Sequence, residues 1–192
     1  SLKFTRPLIY VRAFAWHEMP EAVCRCKDPF LRTYESSLRN KIYWHGLNDD
    51  SIFEPWIDSN AVLNCSGWGI SGTKRVSGEE AGSYKEDYPI KEQADFAKLR
   101  VPRHGINEAA TGEQTRKLED IFGDILPVNV NRGPCYLMWG ADLSTDLGHL
   151  RGIENVMLDM TDNPEWLHKL VGFMAAGVKK THDEAEAAGD FG

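Results

Sequence analysis

The stretch LPVNVNRGP, residues 126–134, decides the fold of this sequence. Valine and asparagine alternate and a Gly-Pro pair follows, a pattern typical of a strand that ends in a turn. Helical periodicity precedes the stretch at 107–122 and follows it at 141–160 and 162–189. Strands that alternate with helices predict an α/β protein with a parallel sheet or barrel.

Further signals extend this pattern toward the N-terminus. We predict that Leu8–Val11 and Pro127–Val130 are adjacent or near-adjacent parallel core strands, with the helix at 163–188 packed outside them. A helix is also predicted at 29–47, where Pro29 stands at the first helical position. The Gly- and Ser-rich segment at about 65–90 contains apolar and aromatic residues, so it predicts a β-hairpin excursion rather than a linker.

Composition narrows the classes of partner. The chain of 192 residues has a formal net charge of −7, and its Lys and Arg residues are scattered, so we expect no nucleic-acid partner. No apolar run approaches the roughly 18 residues of a membrane helix, so we expect no membrane partner. Four cysteines without secretory signs suggest free thiols and a cytoplasmic location.

Several motifs carry a resemblance to a known family. LRGIENVMLDMTDNPEWLHKL (150–170) has a G-x-E helix, an acidic turn, NPE and an HxL string in succession, and FGDILPVNVNRGPCYLMW (122–139) precedes it. The segment 16–45 and FEPW at 53–56 add N-terminal matches. The chain resembles the uroporphyrinogen decarboxylase superfamily, in the subgroup that is similar to cobalamin (corrinoid)-dependent methyltransferases.

The resemblance implies a fold and an activity. It implies a (β/α)8 TIM barrel, an α/β fold of which residues 1–192 supply about the first half. Since a half-barrel leaves sheet edges unpaired, we expect this chain alone to be inactive and not to persist as a soluble monomer. The implied activity transfers a methyl group between a small methylated substrate and a corrinoid on a partner protein. Zinc, with ligands in the C-terminal half, and a second chain that completes the barrel are also implied.

Two alternatives remain open on the same resemblance. One is uroporphyrinogen decarboxylation in tetrapyrrole biosynthesis, and the other is a non-catalytic half-barrel that needs a partner chain. The string FGDIL at 122–126 resembles FSDIL of the haem-pathway decarboxylases, but here Asp124 precedes the strand instead of following it. That departure counts against decarboxylation, because barrel active sites lie at the carboxyl ends of the strands.

Two groups of polar residues near predicted strand ends are candidate site residues. His17 and Glu18 follow the first predicted strand, so they are candidates for acid–base catalysis, or alternatively for an exposed loop. Asn129, Asn131 and Arg132 lie at and after the strand at 126–130, where Arg132 is suited to bind a substrate carboxylate through both nitrogens. The alternative for the second group is a simple turn.

Two further pairs complete the candidates. If a strand ends at Pro55, Glu54 approaches the mouth of the barrel and Trp56 offers a flat wall for a ring-shaped substrate, or alternatively packs in the core. Cys24 and Cys26 resemble half of a zinc site, but no second pair of similar spacing exists in the sequence. We therefore predict that Cys24 and Cys26 bind no metal.

Overall fold

The computed structural model describes residues 6–11, 15–76, 84–137 and 141–190. They belong to two compact units, Ser1–Pro55 and Trp56–Gly192, where the sequence predicts one domain. The helices are α1 (Pro29–Leu47), α2 (Glu108–Phe122), α3 (Leu143–Arg151), α4 (Ile153–Asp162) and α5 (Pro164–Ala188). Three 3₁₀ helices span Trp16–Glu18, Pro20–Ala22 and Gln93–Lys98. The strands are β1 (Ile57–Asn60), β2 (Thr73–Val76), β3 (Tyr84–Asp87) and β4 (Val128–Asn131).

The mixture of helices and strands confirms the α/β class, with two small two-stranded sheets in the described residues. None of the described helices is long and apolar enough to cross a membrane. The first sheet pairs β1 with β4 in parallel, and the second pairs β2 with β3 in antiparallel. The antiparallel pair lies within the segment predicted as a hairpin excursion.

The unit Ser1–Pro55 corrects one strand prediction. The strand at Pro127–Val130 is confirmed as β4, but its partner is β1, and Leu8–Val11 forms no strand. The side chains of Leu8–Val11 are exposed, and the N–H groups of Ile9 and Val11 donate to the carboxylates of Asp50 and Asp49 at 2.7 and 2.8 Å. Carboxylates thus take the place of a neighbouring strand as hydrogen-bond partners.

In the same unit, α1 begins and ends as the sequence predicts. The side chain of Asp28 accepts hydrogen bonds from the N–H groups of Phe30 and Leu31, and Pro29 supplies the first helical residue. Asn48 ends the helix in the left-handed region, at φ 54°. Local capping chemistry fixes both ends.

The parallel pair in the unit Trp56–Gly192 has one covered face and one polar face. Ile57 and Ser59 of β1 are buried, and α2 lies against them, with Gln114 Nε2 donating to Ser59 Oγ at 2.8 Å. The alternate residues point to the opposite face and are exposed: Asp58, Asn60, Asn129 and Asn131. A strand pair with this alternation carries polar groups right up to its carboxyl end.

The long helix α5 supplies much of the core of this unit. Leu170 and Met174 are fully buried and pack in one cluster with Trp68 and Leu150. Gly177 lies against the Trp68 ring, where a Cβ atom would stand 2.8 Å from Trp68 Cζ3. The absence of a side chain at this position lets α5 approach the tryptophan closely.

Candidate functional site

The carboxyl ends of β1 and β4 lie side by side. Asn60 and Asn131 are register partners, and Asn131 Nδ2 donates to Asn60 Oδ1 at 3.3 Å. Asn131 Oδ1 in turn accepts the N–H of Gly133 at 3.0 Å, which forms the turn after the strand. The amide pair therefore marks the point at which both strands end.

Arg132, the first residue after β4, connects two carboxylates. Its Nε donates to Asp190 Oδ1 at 2.7 Å. Its two terminal nitrogens donate to the two oxygens of Glu108, with Nη1 to Oε2 at 3.0 Å and Nη2 to Oε1 at 2.5 Å. This is the two-bond geometry that guanidinium groups form with carboxylates. We call His104, Glu108, Arg132 and Asp190 the carboxyl-end cluster.

The C-terminal cap of α5 brings Asp190 to this position. Gly189 adopts φ 76°, and its N–H donates to the carbonyl of Glu186 at 3.0 Å. The N–H of Asp190 donates to the carbonyl of Ala185 at 2.8 Å, which completes a Schellman motif. Because this cap fixes the backbone on both sides of Gly189, it also fixes the direction of the Asp190 carboxylate.

His104 is the buried member of the cluster. Its side chain is 2% exposed, and Nε2 lies 3.1 Å from Asp190 Oδ2. Its backbone N–H donates to Glu184 Oε2 at 2.9 Å, and the carbonyl of Gly105 accepts from the N–H of Asn64 at 2.7 Å. Nδ1 has no hydrogen-bond partner among the residues that the structure describes. Since the carboxylate is an acceptor, Nε2 is assigned as the donor.

The hydrogen bonds within the cluster favour the charged forms of Asp190, Glu108 and Arg132. Burial raises the pKa of Asp190, but hydrogen bonds from Arg132 and His104 outweigh it, so the net pKa is lowered. The hydrogen bond from Arg132 lowers the pKa of Glu108, and the bonds to Glu108 and Asp190 raise the pKa of Arg132. Both carboxylates are therefore ionised and Arg132 is charged at neutral pH.

The lowered pKa of Asp190 predicts an acid-dependent contribution to stability. A carboxyl group whose folded pKa is below its unfolded value, about 3.9, stabilises the protein above that value and loses this contribution as pH falls through the folded pKa. We expect Asp190→Asn to lower the free energy of unfolding at pH 6, with the deficit shrinking below about pH 4. Urea denaturation at pH 6, 4 and 3 measures the deficit.

Asp183→Asn is the matched control, because Asp183 lies in the last turns of α5, which Asp190 follows, and its carboxylate is exposed, 2.6 Å from Lys179. We expect a small deficit for this control at every pH. A deficit of Asp190→Asn that stays constant from pH 6 to pH 3 contradicts the prediction.

A groove of about 610 Å³ adjoins the cluster, between the first turns of α2 and the end of β4. Glu108 and Arg132 line it together with Thr111, Thr115, Arg116 and Val130. The groove thus combines two guanidinium groups, one carboxylate, hydroxyl groups and an apolar wall. The groove is open to solvent, and its lining offers both charged and apolar contacts to a small molecule.

The predicted site residues are only partly brought together. Arg132 is in the cluster and Asn131 is beside it, whereas Asn129 lies within β4 on the exposed face. His17 and Glu18 belong to the other unit, in the 3₁₀ helix Trp16–Glu18, with side chains 82% and 72% exposed. Their acid–base role stays a prediction.

Glu54 and Trp56 do not lie where the sequence places them. No strand ends at Pro55; instead β1 begins at Ile57, so Trp56 lies at the amino end of the strand pair. Trp56 Nε1 donates to Asp58 Oδ1 at 2.7 Å, which directs the indole along the polar face. Pro55 lies before the strand rather than at its end, and the ladder begins where the N–H of Ile57 donates to the carbonyl of Pro127 at 2.9 Å.

The cysteines Cys24 and Cys26 lie in the unit Ser1–Pro55, beside the start of α1. Cys24 and Cys26 are free thiols, and the N–H groups of Arg25 and Cys26 donate to the Glu35 carboxylate. These backbone hydrogen bonds, with one from Arg39, lower the pKa of Glu35 to about 2. Within the described part of the chain, no group of three or more His, Cys, Asp or Glu side chains is arranged to hold a metal ion.

Three members of the carboxyl-end cluster were not predicted from the sequence. His104 has no sequence spacing to another ligand, and Glu108 and Asp190 read as ordinary helix-end residues. The one available signal was Gly189, since a glycine C-cap fixes the residue after it. No family model, curated protein or solved structure matches the chain. The motifs quoted above are thus the sole basis of the family resemblance.

Proposed function

We propose that this chain is part of a methyltransferase component that transfers a methyl group between a small methylated substrate and a corrinoid carried by a partner protein. The observation that carries the proposal is the carboxyl-end cluster, which gathers a guanidinium, two carboxylates and an imidazole where two parallel strands end. Active sites of parallel α/β proteins lie at that end. The order of the family-like motifs supplies the choice of methyl transfer.

The proposal also includes a fold more specific than the α/β class. We propose that β1 and β4 are two strands of a (β/α)8 barrel of the uroporphyrinogen decarboxylase type, of which this chain supplies about the first half. The parallel register and the packing of α2 against the pair support this. The polar face of Asp58, Asn60, Asn129 and Asn131 is then the face toward the barrel interior. Its last residues, Asn60 and Asn131, lie at the carboxyl end, where the active sites of such barrels are found.

Three residues of the cluster have distinct roles in this proposal. Arg132 contacts the substrate and fixes its orientation through paired hydrogen bonds. Asp190 holds Arg132 through Nε, and His104 holds Asp190, so both are positioning residues. The corrinoid, when bound, supplies the cobalt that accepts or donates the methyl group. Zinc, if used, takes its ligands from the C-terminal half of the proposed barrel, and Asn131 remains a proposed substrate contact.

A paired assay tests the proposal on the protein that contains this chain. Methylcobalamin is incubated with a methylated amine, a methoxylated compound or a thiol, and methyl transfer is followed by the change in corrinoid absorbance. Release of carbon dioxide from uroporphyrinogen is measured in parallel. We expect methyl transfer with at least one substrate class and no carbon dioxide release.

Other results of the assay distinguish the two alternative functions. Carbon dioxide release without methyl transfer establishes the decarboxylase instead. Activity that arises only when a chain supplying the C-terminal half of the barrel is added establishes a half-barrel that needs a partner. If neither reaction occurs, with or without that chain, the proposed function is refuted.

A further inference from the structure

The guanidinium of Arg132 is held on its Nε edge by buried groups. Asp190, whose side chain is 9% exposed, accepts from Nε, and its other oxygen contacts the buried His104 ring. The orientation of the two terminal nitrogens is therefore set without any contribution from Glu108. A guanidinium that is fixed on one edge presents its other edge as a ready-made carboxylate receptor.

Glu108 occupies that receptor, but it is not built into the core. It is the first residue of α2, and its side chain is 66% exposed, against 34% for Arg132. The N-cap of the helix is made by Asn107, whose side chain accepts from the N–H of Ala110 at 3.1 Å. Helix α2 therefore starts correctly without the Glu108 carboxylate.

The groove beside the pair has the charge that a carboxylate ligand requires. Among its lining residues, Arg116 and Arg132 are cationic and Glu108 is the one anion. Removal of the Glu108 side chain from Arg132 leaves the lining with two positive charges. Val130, Ala109 and Gly112 offer apolar contact for the rest of a small ligand.

We propose that Glu108 stands in for the carboxylate of a ligand, and that the groove binds a small carboxylate that replaces Glu108 on Arg132. The identification of this ligand with the methylated substrate rests on the proposed function, whereas the binding site itself does not. The exchange replaces one pair of charge-assisted hydrogen bonds with an equivalent pair. Binding in the wild-type protein is therefore weak, because each ligand competes with a tethered carboxylate.

Removal of the competitor is the direct test, with benzoate as the probe and benzamide as its neutral analogue. We expect Glu108→Gln to bind benzoate about tenfold more tightly than the wild type, because the glutamine amide is a much weaker partner for Arg132. Binding is measured by nuclear magnetic resonance titration at pH 7, with shifts at the first turn of α2 and at 130–132. Benzamide is expected to produce no saturable shift.

Glu113→Gln is the matched control, because Glu113 is an exposed glutamate of the same helix that does not line the groove. It changes the net charge equally and is expected to leave benzoate affinity unchanged. Arg132→Lys in the Glu108→Gln background is expected to abolish the gain. The proposal is overturned if both glutamate variants gain equally, if benzamide binds like benzoate, or if Glu108→Gln fails to fold.

The binding result is independent of methyl transfer. Tighter benzoate binding by Glu108→Gln in a protein with no methyl-transfer activity supports the groove and refutes the proposed function. Methyl transfer by a protein whose Glu108→Gln variant gains no affinity for benzoate supports the proposed function and refutes the proposed carboxylate groove.

Discussion

Replacement of Arg132 by lysine is expected to lower kcat/KM for methyl transfer by about a hundredfold, the scale on which a fixed charged donor acts in an active site. Lysine keeps the positive charge but has one ammonium group in place of the planar fork that donates to both Asp190 and Glu108. The substrate therefore loses its second hydrogen bond, and its orientation is no longer fixed.

Arg103→Lys is the matched control for this prediction. Arg103 precedes His104, its side chain is 72% exposed, and it pairs with Glu184 at 3.2 Å outside the groove. We expect kcat/KM of this variant to change less than about twofold, since exposed ion pairs contribute little. Equal losses in both variants, or no loss in Arg132→Lys, contradict the assignment of Arg132 as a substrate contact.

The second large effect concerns stability. Gly177→Ala places a Cβ atom 2.8 Å from Trp68 Cζ3 and 3.0 Å from Pro102 Cδ, both in the buried core. Neither contact is the end of a flexible side chain, so the ring or the helix must shift. We expect the free energy of unfolding to fall by about 1–3 kcal/mol, the usual cost of overpacking.

Gly172→Ala in the same helix is expected to have the opposite sign. A Cβ atom at Gly172 meets nothing within 4 Å, so the alanine contributes only its higher helix propensity. The free energy of unfolding should rise by up to about 1 kcal/mol. Both variants are measured by urea denaturation at one pH. If the two substitutions change stability equally, the packing of α5 against Trp68 is wrong.

Helices were predictable because their ends depend on nearby residues. Asp28 and Pro29 begin α1, Asn107 caps α2, and Gly189 ends α5, each within a few residues of the helix it bounds. The break in the predicted helix at 141–160 falls at Gly152, whose φ is 82°. Such positions depend on capping by residues that are close in sequence, so a short stretch of sequence is enough to predict them.

Strand pairing was less predictable, because it depends on distant residues. Leu8–Val11 and Ile57–Asn60 both lie near turn signals, and nothing local states which of them pairs with β4. The apolar run at Leu8–Val11 has strand propensity, but aspartate side chains satisfy its N–H groups instead. Propensity alone does not choose a partner.

Sequence periodicity also did not predict the direction in which α5 runs relative to β4. Asp190 follows α5 and Arg132 follows β4, and the two are hydrogen-bonded, so α5 ends near the carboxyl end of β4. A single crossover helix would instead return the chain to the amino end of the sheet. Helices α3 and α4 lie between β4 and α5, and the barrel proposal requires a further return before any next parallel strand.

The carboxyl-end cluster was also predictable only in part, because its members are distant in the sequence. Arg132 was predicted from its place after a strand, whereas His104 and Asp190 are 86 residues apart and meet only through the cap of α5. Glu108 is 24 residues from Arg132 and faces it because α2 starts where β4 ends. Residues so far apart in the sequence become neighbours only through the fold.

A double-mutant cycle on Arg132→Lys and Asp190→Asn tests most directly whether the cluster acts as one unit. The two single variants and the double variant are compared with the wild type by kcat/KM for methyl transfer, with folding checked by circular dichroism. Because Asp190 acts only through Arg132 in this account, the double variant should lose no more activity than Arg132→Lys alone. Losses that multiply, or an Asp190→Asn variant with full activity, would contradict the account.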